Sequence, residues 1–401
     1  MLIYPFFSTI FPVIGGLAMF KRIIHIPLKA RKSFFLFGPR GTGKTTWLRQ
    51  HLPEALFFNL LQSEPYNRLS ANPGLIREMI PPHYSDWIII DEIQRIPEML
   101  NEIHDLIESH KHIFILTGSS ARKLRQKGVN LLAGRALTYH LHPITAKEQD
   151  AAWQISQSLR YGHLPARFSE HDPQKYLKDY VQTYVREEVL QESLTRNIGH
   201  FSRFLEVASF SQGSVINTSE IAREAHIERA TAENYFYILE DLLIGVRLPV
   251  FSRKAKRKLI RHQKFYYFDT GVFRAIRPTG PLDSDAELDG PAMETLVFQE
   301  LRAMNDYLEC GYQLYFWRTK NGLEVDFILY GPEGLIAVEV KRSAHVHSKH
   351  LRGLKEFKKD YPPARCYLFY GGSVPLYRDD ITALPIEQAL RNLNQLLLKS
   401  K

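Results

Sequence analysis

An α/β fold with a parallel sheet in the first third of the chain is predicted for these 401 residues, and three observations predict it. Residues 38–45 read Gly-Pro-Arg-Gly-Thr-Gly-Lys-Thr, a complete phosphate loop between the apolar run Phe34–Phe37 and a helical pattern. Trp87-Ile88-Ile89-Ile90 ends in Asp91-Glu92, and Ile113-Phe114-Ile115-Leu116 ends in Thr117-Gly118-Ser119-Ser120. Continuous apolar runs closed by polar residues are the pattern of strands buried on both faces, with functional groups at their C-terminal edge. Strands are expected near residues 34–37, 55–60, 87–91, 113–117 and 136–141, alternating with helices.

In the phosphate loop, Gly38, Gly41 and Gly43 let the backbone curl with its N–H groups inward, and Pro39, Arg40, Thr42 and Thr46 complete the loop and the first turn of its helix. Lys44 is expected to reach the β- and γ-phosphates, and Thr45 to offer its hydroxyl to Mg²⁺. ATP and Mg²⁺ are therefore the expected substrate and cofactor. Asp91 is expected to hold Mg²⁺, directly or through water, and Glu92 to orient the attacking water. Ser119, at the end of the next strand, is placed to sense the γ-phosphate or its water, although small polar residues also end strands for turn reasons.

Phe-Gly-Pro-Arg-Gly-Thr-Gly-Lys-Thr-Thr, Ile-Ile-Ile-Asp-Glu-Ile-Gln-Arg-Ile-Pro, Leu-Thr-Gly-Ser-Ser-Ala-Arg-Lys-Leu and Leu-Ala-Gly-Arg-Ala together resemble the AAA-type ATPases of bacteria and archaea whose C-terminal half is a domain of unknown function. The resemblance spans residues 20–390. It implies an AAA+-like core and a homo-oligomer, with a hexameric ring among its forms, in which one subunit lends an arginine to its neighbour's nucleotide. Arg135, in Leu-Ala-Gly-Arg, matches the family's Gly-Arg element; Arg122 and Arg125 are the other candidates, and for these a surface role is the plainer reading.

The length calls for two or three domains, and 44% hydrophobic residues suffice for real cores. Lys and Arg number 52 against 43 Asp and Glu, and the isoelectric point near 9.3 suggests an anionic partner. Cys310 and Cys366 are too few for a disulfide scaffold or a zinc site and suit a reducing cytoplasm, so a cytoplasmic location is expected. Residues 2–20 carry no charge, but Pro5, Pro12 and Gly15-Gly16 interrupt the run, and no basic residue precedes it. Residues 1–18 read as an extension outside the ATPase fold, from an upstream start, with a membrane or partner anchor as the alternative; no stable membrane association is expected.

The ATPase is expected over residues 19–145, then a helical connector over 146–200 containing Tyr161-Gly162-His163-Leu164-Pro165, to which the residues themselves assign no function. Residues 201–270 fit a winged helix-turn-helix. Asn217-Thr218-Ser219-Glu220 caps a short helix, a longer one follows from Arg229 to Leu243, and the strand-like segments 245–250 and 265–269 flank a basic run. Seven Lys or Arg fall within residues 253–264, among them Arg253, Lys254, Lys256, Arg257, Lys258 and Arg261, which would meet DNA phosphates without reading sequence. Winged helices also bind proteins, and charge runs are often only solvated faces.

Residues 271–401 carry the spacing of a PD-(D/E)XK nuclease core. Strand alternation puts Glu324 with Asp326, and Glu339 with Lys341, so that Asp326 and Glu339 converge on a divalent metal, Glu294 completes its shell from a helix, and Lys341 steadies the attacking hydroxide or the phosphate. The Asp326 strand lacks the Pro-Asp of the motif, and such folds also serve as DNA grips without cleavage. The whole reads as an AAA+-like P-loop ATPase with a parallel sheet, followed by a winged helix-turn-helix and a nuclease-like α/β domain. The expected function is a ring-forming DNA translocase or remodeller on duplex or branched DNA. The alternative is an ATP-dependent regulatory or defence switch, with a protein-binding winged helix and a dormant or triggered nuclease domain.

Overall fold

The structure, a computed structural model, describes residues 13–14, 17–18, 20–119, 132, 134–185, 189, 197–252, 263–281 and 283–398. Its contacts divide the chain into two units: residues 24–142 with 234–245, and residues 1–23 and 143–233 with 246–401.

In the first unit, β1 (Phe34–Phe37), α1 (Lys44–His51), β2 (Leu56–Asn59), β3 (Trp87–Asp91), α2 (Met99–His110), β4 (Ile113–Gly118) and β5 (Leu137–His140) follow one another as the alternation of apolar runs and helical segments predicts. The five strands are all parallel, in the order β2-β3-β4-β1-β5. Every residue of β1 and β3 is buried, which is why these segments read as unbroken apolar runs. Phe35, Phe37, Ile88, Ile90, Phe114 and Leu116 share one core cluster with Met99, Leu100, Ile103 and Leu106, the apolar stripe of α2. Each such side chain contributes roughly 1.5–3 kcal/mol on burial. Register fixes what lies at the sheet's C-terminal edge: Leu36 pairs with Thr117 and Ile90 with Leu116, so Asp91, one residue on, stands level with Thr117. Crossover connections bring the loop after β1 to the same edge, where open α/β sheets hold ligands.

The second unit contains α3 (Ile155–Tyr161), α4 (Ile198–Ser209) and α5 (Thr218–Glu224), the last capped by the Asn217 side chain, which accepts from the Glu220 N–H. Next come α6 (Arg229–Asp241), β6 (Gly245–Leu248) and β7 (Lys264–Tyr267), with β6 and β7 paired as a two-stranded sheet. Helix, helix and paired strands thus occur in the order expected of residues 201–270, but α6 is shared, its residues from 234 onward belonging to the first unit. The basic residues Arg253, Lys254, Lys256, Arg257, Lys258 and Arg261 lie outside the described residues, as do Arg122 and Arg125.

After α7 (Thr270–Ile276) and the long α8 (Asp285–Tyr307), the chain builds β8 (Gln313–Arg318), β9 (Glu324–Gly331), β10 (Gly334–Lys341), α9 (Arg352–Asp360), β11 (Arg365–Tyr370), β12 (Leu376–Arg378) and β13 (Ile381–Pro385). These strands form a mixed sheet ordered β8-β9-β10-β11-β13-β12, antiparallel from β8 to β10, parallel from β10 through β13, and antiparallel again at β12. Leu296, Val297 and Leu301 of α8 cluster with Phe327, Leu329, Ile336 and Val338, while Leu354 and Phe357 of α9 cluster with Ile328, Ala337 and Leu368. The sheet is therefore covered on both faces.

The connector segment Tyr161-Gly162-His163 has a structural job that its sequence did not disclose. Asp269 caps α7 by accepting from the N–H groups of Gly271 and Val272 at 2.9 and 3.1 Å, and its other oxygen accepts from the His163 N–H at 2.7 Å. Gly162 sits at φ +62°, and a Cβ there would lie 2.0 Å from the Asp269 carboxylate, so no other residue fits. His163 Nε2 meets Ser158 Oγ at 2.7 Å, and Trp153 Nε1 donates to the same oxygen at 2.8 Å. The joint is buried and polar: Asp269 and Ser158 accept the donors that reach them, while His163 Nδ1 lies 3.3 Å from the Glu300 carboxylate without a hydrogen bond.

Burial drives the His163 imidazole down from its ordinary 6.5 to about 3, so the folded protein holds it neutral. A depressed histidine contributes stability that is complete above the unfolded value and is lost as pH falls from about 6.5 toward about 3, because only the unfolded chain takes up the proton there. Relative to His163→Gln, the wild-type chain should therefore lose stability between neutral pH and about pH 5. Urea unfolding of both proteins at the two pH values measures this; a constant gap between them would show that His163 takes up its proton equally in the folded and unfolded chains.

Candidate active site

The phosphate loop leaves β1 and enters α1 through Gly41 and Gly43, at φ 83° and 91°, with Gly43 as the N-cap of the helix. The Thr42 hydroxyl donates to the Pro39 carbonyl at 2.9 Å and braces the loop from inside. Lys44 is 5% exposed and folds back over the loop, its Nζ donating to the carbonyls of Gly38 and Pro39 at 2.8 and 3.3 Å. A buried ammonium must have acceptors, and here the loop's own backbone provides them. Gly38 and Pro39 are buried, Arg40 is half-buried, Thr45 is partly buried, and Thr46 faces solvent.

Asp91 stands at the centre of the site. It is 1% exposed; one carboxylate oxygen accepts from Thr45 Oγ1 of α1 at 2.8 Å and the other from Thr117 Oγ1 of β4. Burial pushes the Asp91 carboxyl up, and the hydrogen bonds from Thr117 and Thr45 pull against it. Thr45 and Asp91 supply the hydroxyl and carboxylate oxygens that a hard divalent ion such as Mg²⁺ takes alongside substrate phosphates, so this donor set fits the ion.

Glu92 follows in the left-handed region, at φ 64°, an uncommon conformation for a residue with a side chain. The turn removes it from the line of β3, and its N–H donates to Thr117 Oγ1 at 3.2 Å. Its carboxylate accepts from Gln94 Nε2, and the same amide nitrogen lies 3.1 Å from Ser119 Oγ. Gln94 and Ser119 are 4% and 1% exposed. The structure therefore brings Lys44, Thr45, Asp91, Glu92 and Ser119 together and adds two residues to which the sequence reading gave no role. Thr117 and Gln94 both lay inside quoted motifs; the strand register that makes Thr117 bridge Asp91 and Glu92, and the turn that aims Gln94, were the missing information.

Arg135 is about one-third exposed and ion-paired with Glu108 of α2.

In the second unit, Glu294, Asp326, Glu339 and Lys341 also come together, with Glu324 and Lys264. Lys264 Nζ lies 2.5 Å from Glu324, 3.2 Å from Asp326 and 3.9 Å from Glu294. Lys341 Nζ lies 2.5 Å from Glu339 and 3.9 Å from Asp326. Burial, joined by the Asp326 charge, raises Glu294 and Glu339 each to about 8. Burial would also raise Asp326, but the ammoniums of Lys264 and Lys341 outweigh it and hold that carboxyl low. Lys264, which the sequence grouped with the basic run, is 1% exposed: as the first residue of β7 it turns inward, and the carboxylates opposite are what make its burial tolerable. Among the described residues, no group of three His, Cys, Asp or Glu side chains is disposed to hold a metal ion. Nor, among them, is any helix long and apolar enough to cross a membrane.

Residues 30–149 match the model of an AAA domain, and residues 153–283 and 289–389 match two domains of unknown function, DUF8612 and DUF4143. An uncharacterized protein of Mycobacterium tuberculosis is 27% identical over 369 residues, covering 88% of this chain and 80% of its own; one of Mycobacterium bovis matches to the same degree. An uncharacterized protein of Haemophilus influenzae is 22% identical over 307 residues, covering 72% of this chain and 74% of its own. A signal transduction ATPase with numerous domains from Pyrococcus horikoshii aligns with 74% of this chain and 50% of its own at 15% identity, with a TM-score of 0.23. The chain thus carries an AAA domain followed by a C-terminal DUF4143 domain, an arrangement the sequence resemblance anticipated.

The Gln94 contact has a measurable consequence. Gln94→Ala should leave nucleotide affinity within about twofold, because no loop atom is touched, and should lower turnover about tenfold through loss of the hydrogen bond that orients Glu92. Calorimetric binding and steady-state turnover separate the two; an unchanged rate would make the amide a packing residue only.

Proposed function

We propose that this chain is an ATP-hydrolysing motor or remodeller that acts on DNA. The observation that carries the reading is the Asp91 carboxylate held between the Thr45 and Thr117 hydroxyls, with Glu92 turned out beside it and Lys44 folded over the phosphate loop. Loop N–H groups and the α1 N-terminus favour the phosphates, and Lys44 would exchange two carbonyl acceptors for phosphate oxygens. Thr45 and Asp91 would hold Mg²⁺, which supplies charge neutralisation of the transferring phosphoryl group. Glu92 orients and polarises the attacking water, and Gln94 and Ser119 fix the carboxylate that does so.

Arg135 is the residue we assign to the neighbouring subunit's nucleotide in a homo-oligomeric ring. Its pair with Glu108 is exposed to solvent, and an exposed pair of this kind is weakly held. A DNA partner is supported by the net charge of +9 and by the run Arg253, Lys254, Lys256, Arg257, Lys258 and Arg261.

Glu92→Gln should bind ATP normally and lose hydrolysis by about 100-fold or more, whereas Lys44→Ala should lose binding itself. Duplex, forked or four-way DNA should raise the wild-type rate, and replacing the six basic residues by Ala should remove that response and flatten its salt dependence. Turnover indifferent to all three DNAs would leave the ATPase standing and favour a protein-directed switch.

A further inference from the structure

The nuclease-like spacing of the second unit implies a divalent metal, and the donor set there does not fit one. We propose that the Lys264 ammonium is the resident cation of this cluster, so that Glu294, Asp326 and Glu339 form a closed ion-pair network and take up no divalent ion.

Three observations carry this. The ammonium stands within 2.5–3.9 Å of carboxylates from three separate positions, Glu324, Asp326 and Glu294, the convergence a metal ion would need for itself. A divalent ion binds oxygens at about 2.0–2.6 Å, so it cannot share them with a cation already at hydrogen-bond distance. Further donors hold the same carboxylates. Asp326 Oδ2 accepts from the Val340 N–H at 2.9 Å, Glu339 Oε2 from the Asp326 N–H at 3.3 Å, Glu339 Oε1 pairs with Lys341 at 2.5 Å, and the Glu294 oxygen that faces Lys264 also accepts from Tyr266 Oη at 3.2 Å.

Lys264 is also held where it is. Its backbone lies in β7 and bridges to Val215, its side chain is buried, and its ammonium lies 5.7 Å from the centre of the Phe316 ring. Withdrawing it would take the nearest ammonium from the buried Asp326 and from the partly buried Glu294 and Glu324, the costly way to break a buried ion pair. The cluster therefore fastens β7 to β9 and α8 by charge, and Lys341, one-third exposed, closes its outer edge.

Mn²⁺ uptake by the full-length, nucleotide-free chain, followed by the loss of the free-ion paramagnetic signal, tests the assignment without reference to ATP turnover. Wild type and Asp326→Asn should take up the same amount of Mn²⁺, while Asp326→Asn melts several degrees lower because Lys264 loses a partner. Lys264→Met, which keeps the length of the side chain and removes its charge, should gain one Mn²⁺ per chain, and adding Asp326→Asn should remove it. A wild-type chain that binds one Mn²⁺ and loses it on Asp326→Asn would overturn the proposal. That comparison needs no Lys264 variant to fold, and an ion held at Thr45 and Asp91 would be the same in both proteins.

Discussion

The Asp91 carboxylate is the constraint around which the first unit is built. A charge that is 1% exposed survives only if its oxygens are satisfied, and the two hydroxyls that satisfy them come from different elements, Thr45 from the helix after the phosphate loop and Thr117 from the neighbouring strand. Strand order and register are thereby tied to chemistry. With β4 between β1 and β3, Thr117 can touch Asp91 and the Glu92 N–H at once, so the hydroxyl that satisfies the buried carboxylate also fixes the turn presenting the next residue.

Two buried lysines show how the acceptor decides what a buried ammonium can do. Lys44 rests on the backbone carbonyls of Gly38 and Pro39, neutral groups that an anionic phosphate can outcompete. Lys264 rests on carboxylates, each already bound to further donors, and has no comparable reason to leave. One arrangement is poised for ligand exchange and the other resists it, although both side chains are almost wholly buried. A lysine's burial therefore says little about its role until its acceptors are known.

Patterns of local sequence were legible: the apolar runs of β1, β3 and β4, the phosphate loop, the acids closing β3, the Asn217 cap and the capped helix it starts. These depend on periodicity and on residue types at short spacing, which a chain displays before it folds. Gln94 was not legible as a partner of Glu92, because the left-handed turn at Glu92 that aims it is unusual for a residue with a side chain. Nor was the role of Gly162, whose requirement comes from Asp269, more than a hundred residues away in the chain.

By itself, then, the sequence determined the class of the first domain, the phosphate loop and the Asp91-Glu92 pair that mark its candidate site, and the presence of a second acidic and basic set near the C-terminus. Only the tertiary structure decided which members of each set touch. Lys264 reads as the last cation of a solvated run, and nothing within ten residues of it in the sequence contradicts that reading. Its fate was settled by Glu294, Glu324 and Asp326, brought to it by a helix and a strand that follow it in the chain, since a charge is placed by the long-range contacts that can neutralise it.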